Sequence, residues 1–288
     1  MNAWFLTATL VLAQSVSAAI SIQSPETRLT FETLPSSNDW RAVSVGFDSG
    51  SPVITTAVQM DEQVQTRSIT SISNALATQT VTPPNSFNYA RWNSAGHYLQ
   101  SRMGNNWCAV FVAILRNDTP APLEWLDISY DVTTGGCPCA AEDVPGFRVY
   151  FSLTGEANSW VVIPGLSTGA TGHISAVLDI GGAGAWAPGT DAYLLWADDN
   201  SAGTDAYYTL DNLTLATAPR LTIQPQPGGG VELSWLEGWN HYRVETASQI
   251  KSTNWQTLLD PMTSSGGRIR VLTTRTNTTF FRLAAPGI

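Results

Sequence analysis

Residues 195–215 read LWADDNSAGTDAYYTLDNLTL. Residues 192–196 and 207–215 are runs of β-forming residues. Between them lie Asp198, Asp199, Asn200, Gly203 and Asp205. Two such runs around an acidic, glycine-containing loop predict a hairpin closing a β-sandwich. In the returning run Tyr208 and Leu210 share one parity, Leu213 and Leu215 the other. A strand facing one core can hold both pairs only with an extra residue, so a bulge is expected at Asp211-Asn212. It would re-aim Asp211 toward a cation or toward backbone N–H groups.

Upstream, residues 108–115 (CAVFVAIL) are a continuous apolar run, the pattern of a strand buried on both faces. Asn117-Asp118-Thr119-Pro120 is turn chemistry. Leu126, Ile128, Tyr130 and Val132 alternate with Asp127, Ser129 and Asp131, as in a half-buried strand. Phe147, Val149, Phe151 and Leu153 alternate with Arg148, Tyr150 and Ser152. Residues 160–163 form a short run, and Ile174, Ala176, Leu178 and Ile180 alternate with Asp179 outward. Residues 40–46 read as a strand, and 20–24 with 29–34 as a first strand pair. Trp40, Trp125 and Trp196 fall within strands and are expected in the core. Residues 47–106 are polar and weakly periodic, too long for a plain loop. Irregular strands are expected there, near 88–92 and 97–99, with a short helix without caps around 71–78. Strands roughly every 10–20 residues with Gly/Pro punctuation give an all-β, jelly-roll-like sandwich.

At Thr217-Ala218-Pro219 the composition resets. Short strand-like runs follow at 231–235, 242–246, 255–259, 268–272 and 279–283. These predict a small second sandwich over 218–288, after a first domain over 20–217, with Trp235 and Trp255 in its core. Residues 1–19 hold an apolar run ending in small residues, as in a signal peptide, although no basic residue precedes Arg28. No later apolar run has membrane length, so the remainder reads as soluble and secreted.

Only 13% of residues are charged, and the net charge is −9. That balance disfavours nucleic acid and anionic membrane surfaces as partners. The cysteines are Cys108, Cys137 and Cys139. Bridging Cys137 to Cys139 would strain the geometry, so Cys108 is the easier partner for either. No further His or Cys lies at metal-ligand spacing.

The tail segments 231–235, 242–247, Asn254-Trp255 and 280–283 resemble a C-terminal module of secreted proteins from planctomycete- and verrucomicrobial-type bacteria. That module is similar to a fibronectin III or immunoglobulin-like sandwich. Phe31-Glu32 and Leu210-Asp211-Asn212-Leu213-Thr214-Leu215 resemble the first and last strands of carbohydrate-binding jelly rolls. That resemblance implies a structural calcium held by Glu32 and Asp211. Independently, the loop residues Asp198, Asp199, Asn200 and Asp205 supply the oxygen ligands calcium needs; a solvated turn uses the same residues.

Eleven tryptophans are a high number for this length. Trp92, Tyr98, Trp107, Trp160 and Trp186 sit near loops or strand ends, where aromatic rings can stack on sugars. Catalytic motifs are missing. There is no Gly-x-Ser-x-Gly elbow, zincin helix or phosphate loop. Glu124 and Asp127, at i and i+3, face opposite sides of a strand. The expectation is therefore a secreted, non-enzymatic protein binding an extracellular polysaccharide or cell-surface component. A structural or adhesive protein without a small-molecule site is the alternative, and a hydrolase with an unrecognised site the third reading.

Overall fold

The computed structural model describes residues 19–23, 25–46, 54–84, 90–104, 107–135, 144–199, 204–240, 242–274 and 279–284. The expected signal peptide (but for Ala19), Cys137, Cys139 and Asn200 lie outside them.

Two sheets form the larger body. The first holds β1 (Ile20–Ile22), β3 (Trp40–Gly46), β7 (Trp107–Asn117), β9 (Arg148–Ser152), β10 (Val161–Val162) and β12 (Asp191–Asp198). The second holds β2 (Glu26–Leu29), β4 (Ala77–Gln79), β5 (Arg91–Asn93), β6 (Tyr98–Gly104), β8 (Trp125–Gly135), β11 (Gly172–Asp179) and β13 (Thr204–Ala216). The chain passes back and forth between the sheets from β1 to β13, the habit of a jelly roll. The all-β sandwich predicted from alternation is therefore present.

This crossing between sheets also corrects two expectations. β12 pairs with β7 and β9, whereas β13 pairs with β2, β6 and β8. The two strands within 195–215 thus belong to different sheets and do not form a hairpin. Turn residues of this kind suit either pairing, and partner choice lies in distant strands. Likewise β1 joins β7 and β2 joins β13, so the first strand pair straddles the sandwich.

The core between the sheets is aromatic at its centre. Trp196 stacks on Phe111 (5.4 Å, 7°) and on Trp40 (5.7 Å, 23°), with Tyr130 edge-on. Phe111, Ala113 and Leu115 of β7 face this core, while Cys108, Val110 and Val112 face a second one. The run CAVFVAIL is therefore buried on both faces, as its composition required.

That second core is closed by a helix the sequence pattern does not predict, α1 (Ala57–Gln65). Residues 71–78, where a helix was expected, instead hold turns and the start of β4. Thr56 caps α1 by accepting from Gln59 N, and Gln59 Oε1 accepts from Thr55 N at 2.9 Å. Thr56-x-x-Gln59 is a capping-box spacing. Met60 and Val64, one turn apart, are the buried apolar pair. Asp61 ties the helix to the sheet: it accepts from Arg148 Nη2 at 2.7 Å and from the Tyr150 hydroxyl at 2.8 Å.

The C-terminal strands form two smaller sheets. β14 (Thr222–Pro225), β15 (Val231–Leu236), β19 (Arg268–Thr273) and β18 (Met262–Ser265) make one; β17 (Gln256–Thr257), β16 (Arg243–Ala247) and β20 (Phe280–Ala284) the other. Leu233, Trp235, Trp239, Val244, Ile269 and Val271 form their core. Trp255, expected there, is half-buried with Arg282 stacked 4.5 Å from its ring centroid. Trp125, expected in the main core, packs toward Trp239 at 6.2 Å, where the two bodies touch. Among the described residues no helix is long and apolar enough to cross a membrane.

Candidate functional site

The outer face of the second sheet carries a groove of about 350 Å³. Its floor follows from strand parity. Tyr130 and Val132 of β8 point to the core, so Asp127, Ser129 and Asp131 point out. His173 and Ser175 on β11 lie opposite Asp131 and Ser129.

The expected bulge shapes the third strand. The β13–β8 register shifts between Asp211 and Thr214, and Asn212 takes φ 51°. Asn tolerates this left-handed conformation better than most residues. The extra residue keeps Leu210, Leu213 and Leu215 all in the core. It also lifts the Asn212 side chain onto the groove floor.

A chain of polar contacts then crosses four strands. His173 Nδ1 lies 2.9 Å from Asp131 Oδ1. Asn212 Nδ2 donates to Asp131 Oδ2 at 2.8 Å, and Arg28 Nη2 donates to Asn212 Oδ1 at 3.1 Å. Asp211 accepts the Asn212 backbone N–H at 2.7 Å. Burial raises the Asp211 pKa. The Asn212 N–H opposes that rise, nearby Asp131 and Glu32 add to it, and Arg28 opposes it.

The far wall comes from the C-terminal sheets: Thr222, Leu236, Trp239 and Arg268, with Arg220 in the connector. Arg220 pairs with Glu26. Arg268 donates to Thr222 Oγ1 at 3.1 Å and to Ser234 O at 3.3 Å. Asp127 lies between floor and wall. Burial pushes its pKa up to about 6, against the pull of Arg220, His173 and Arg268. The arrangement offers donors and acceptors for hydroxyl groups, guanidinium groups for an anion, and a carboxyl that exchanges its proton near pH 6.

The aromatic platform is corrected. Trp160 and Trp186 are buried and donate to Arg67 O and Thr190 O. Their indoles complete the packing beneath loops and present no face to a ligand. Trp92 is half-buried and donates to Phe31 O at 2.8 Å. The Tyr98 hydroxyl lies 2.5 Å from Thr82 Oγ1. The Trp107 side chain lies outside the described residues. None of the other four lines the groove.

The expected calcium ligands fall at two places, Glu32 with Asp211 and Asp198 with Asp199. Glu32 pairs with His97 Nδ1 at 2.5 Å, on the second-sheet side. Asp211 lies beside Asn212, and Asp198 and Asp199 are buried at the end of β12. Val144 N donates to Asp199 Oδ2 at 3.1 Å. The Asp205 side chain and Asn200 are not described. Among the described residues no group of three or more His, Cys, Asp or Glu could hold a metal ion. Glu32 lies near enough to Asp211 to raise its pKa, so these two expected ligands are neighbours, short of a group of three among the described residues.

Fold and groove together define a class: an all-β, jelly-roll-type sandwich with a polar groove on an outer sheet face. No protein-family profile and no curated protein matches the chain. Among solved structures it is similar to the K2 cleaved adhesin domain of Lys-gingipain, at 17% identity and a TM-score of 0.30, covering 66% of this chain and 99% of that one. It is similar to the endo-D glycoside hydrolase domain of Streptococcus pneumoniae, at 12% identity and a TM-score of 0.26, covering 66% of this chain and 28% of that one. It is also similar to the β-1,2-glucanase of Parabacteroides distasonis, at 11% identity and a TM-score of 0.32, covering 90% of this chain and 38% of that one. The chain thus spans well under half of each hydrolase chain. Likenesses this distant assign no activity, and none bears on a planctomycete or verrucomicrobial source. They do correct one expectation: with glycoside hydrolases among the similar chains, the exclusion of an enzyme is withdrawn.

Proposed function

We propose that this is a secreted protein whose sandwich binds an extracellular glycan in the groove on its second sheet. One observation carries the reading. The floor is an unbroken set of hydrogen-bonding side chains, from His173 and Asp131 through Asn212 to Arg28, flanked by Ser129, Ser175 and Thr214. Such fixed, convergent polar groups suit a polyhydroxylated ligand, whose hydroxyls both donate and accept. Residues 20–217 and 218–288 are taken as two modules, the second fibronectin III-like. Its separate core and its four- and three-stranded sheets support that division. For residues 198–205 the proposed ligand is calcium, supported by the fully buried carboxylates of Asp198 and Asp199.

A glycan array of the purified chain, with release of sugar products read in parallel, tests the reading. At least one glycan class should bind, and Ser175→Trp, which fills the groove floor, should weaken it tenfold or more. Failure of a folded protein to bind any glycan, or binding indifferent to Ser175→Trp, overturns it. Product release would add catalysis at the bound glycan.

A further inference from the structure

We propose that the glycan is anionic, its charge carried by a uronate carboxylate or a sulfate ester. This rests on the glycan reading above and narrows it. The chain is acidic overall, with 14 Lys and Arg against 23 Asp and Glu. Yet Arg28, Arg220, Arg268 and His173 all line this one groove, facing only Asp127 and Asp131.

How each charge is engaged decides what remains for a ligand. Arg220 is neutralised by Glu26. Asp131 is engaged on both oxygens, by His173 and Asn212. Arg28 and Arg268 are different. Arg28 donates to the neutral Asn212 amide. Arg268 donates to the Ser234 hydroxyl, the Ser234 carbonyl and the Thr222 hydroxyl. Among the described residues neither guanidinium has a carboxylate within ion-pair distance.

These neutral contacts leave both guanidinium groups without a carboxylate in direct contact, with Asp211 acting on Arg28 and Asp127 on Arg268 only from beyond ion-pair distance. Arg28 rises from the floor at β2, and Arg268 stands on the opposite wall at β19. A carboxylate or sulfate in the groove can take paired N–H bonds from Arg28 and a bond from Arg268 Nη1, since Arg268 Nε and Nη2 already serve Ser234 and Thr222. The low dielectric of a partly enclosed groove strengthens that attraction relative to open water.

The test titrates the full chain with three length-matched oligosaccharide sets: neutral glucan, uronate-containing and sulfated. Wild type should bind one or both anionic sets roughly tenfold or more tighter than the neutral set. Arg28→Gln and Arg268→Gln should each remove most of that preference, lowering anionic binding by a clearly larger factor than neutral binding. Arg28→Lys and Arg268→Lys keep the charge without the fork. They should fall between, and they serve where a Gln variant does not fold. The tighter anionic arm names the group recognised. Equal or better binding of neutral glucan overturns the inference while leaving the glycan reading intact. So does an equal loss of neutral and anionic binding in the Gln variants. Binding of no set overturns both.

Discussion

Asp127 has one carboxylate oxygen buried without a hydrogen-bond partner. With its pKa raised from 3.8 to about 6, the folded protein binds more protons than the unfolded chain between those values. Stability from this residue is therefore greatest below about pH 4 and falls as pH rises through about 6. Asp127→Asn should abolish that slope. In urea unfolding the variant should match wild type near pH 4 and exceed it at pH 7 by about 1–2 kcal/mol, allowing for solvent screening. Parallel pH profiles would show that the carboxyl is not held in this way. Asn212 offers a second contrast. Asn212→Gly keeps the left-handed backbone and loses the contacts to Asp131 and Arg28, whereas Asn212→Ala also meets backbone strain. The Ala variant should be about 1 kcal/mol less stable than the Gly variant by the same measurement. Much of the floor is legible residue by residue. Asp127, Ser129 and Asp131 show their outward parity directly, and the parity break at Asp211-Asn212 announces the bulge. Arg220 and Arg268 are not legible as site residues, because they come from segments far along the chain whose docking no local pattern encodes.

At the scale of elements, α1 is held by its cap, one apolar pair and Asp61. Thr56→Ala should cost about 1 kcal/mol and Met60→Ala about 2–5 kcal/mol in urea unfolding. A Met60→Ala loss within error of zero would mean that the helix does not seal the second core. This helix escapes sequence reading because so short a segment, with only Met60 and Val64 buried, leaves almost no periodic signal. The Thr56-x-x-Gln59 spacing alone marks it. The stretch after β12 is ambiguous in sequence for a different reason. Asp, Asn and Gly permit a tight reversal whether the next strand pairs in the same sheet or crosses to the other. That choice is made by distant partners. Residues 109–116 of β7 receive β12, and the outward-polar strand β8 receives residues 207–216 of β13. For the proposed ion at 198–205, calcium should raise the melting temperature of chelator-treated protein by several degrees at saturating concentration. No shift on chelation or on calcium addition removes the ion from the account.

For the whole molecule, the groove exists because two bodies meet. Trp125 and Val177 of the larger body pack against the core that holds Trp239, and Trp239 also lines the groove wall. The groove takes its lining from both bodies, so no motif within a single stretch announces it. Trp160 and Trp186 answer the demand of a large sandwich for buried rings. The proposed binding surface instead uses polar side chains scattered over β2, β8, β11, β13 and the C-terminal wall. Trp239→Ala should therefore weaken glycan binding severalfold and lower the melting temperature together, since one ring serves both seam and wall.

The most direct test is a chemical-shift map of the isotopically labelled chain titrated with the tightest oligosaccharide. Amides at 127–131, 173–175, 212–216, 220–222, 236–239 and 268 should move together with one affinity. Shifts confined to the surroundings of Trp92 and Tyr98, or to one of the two bodies, would contradict a groove shared between them.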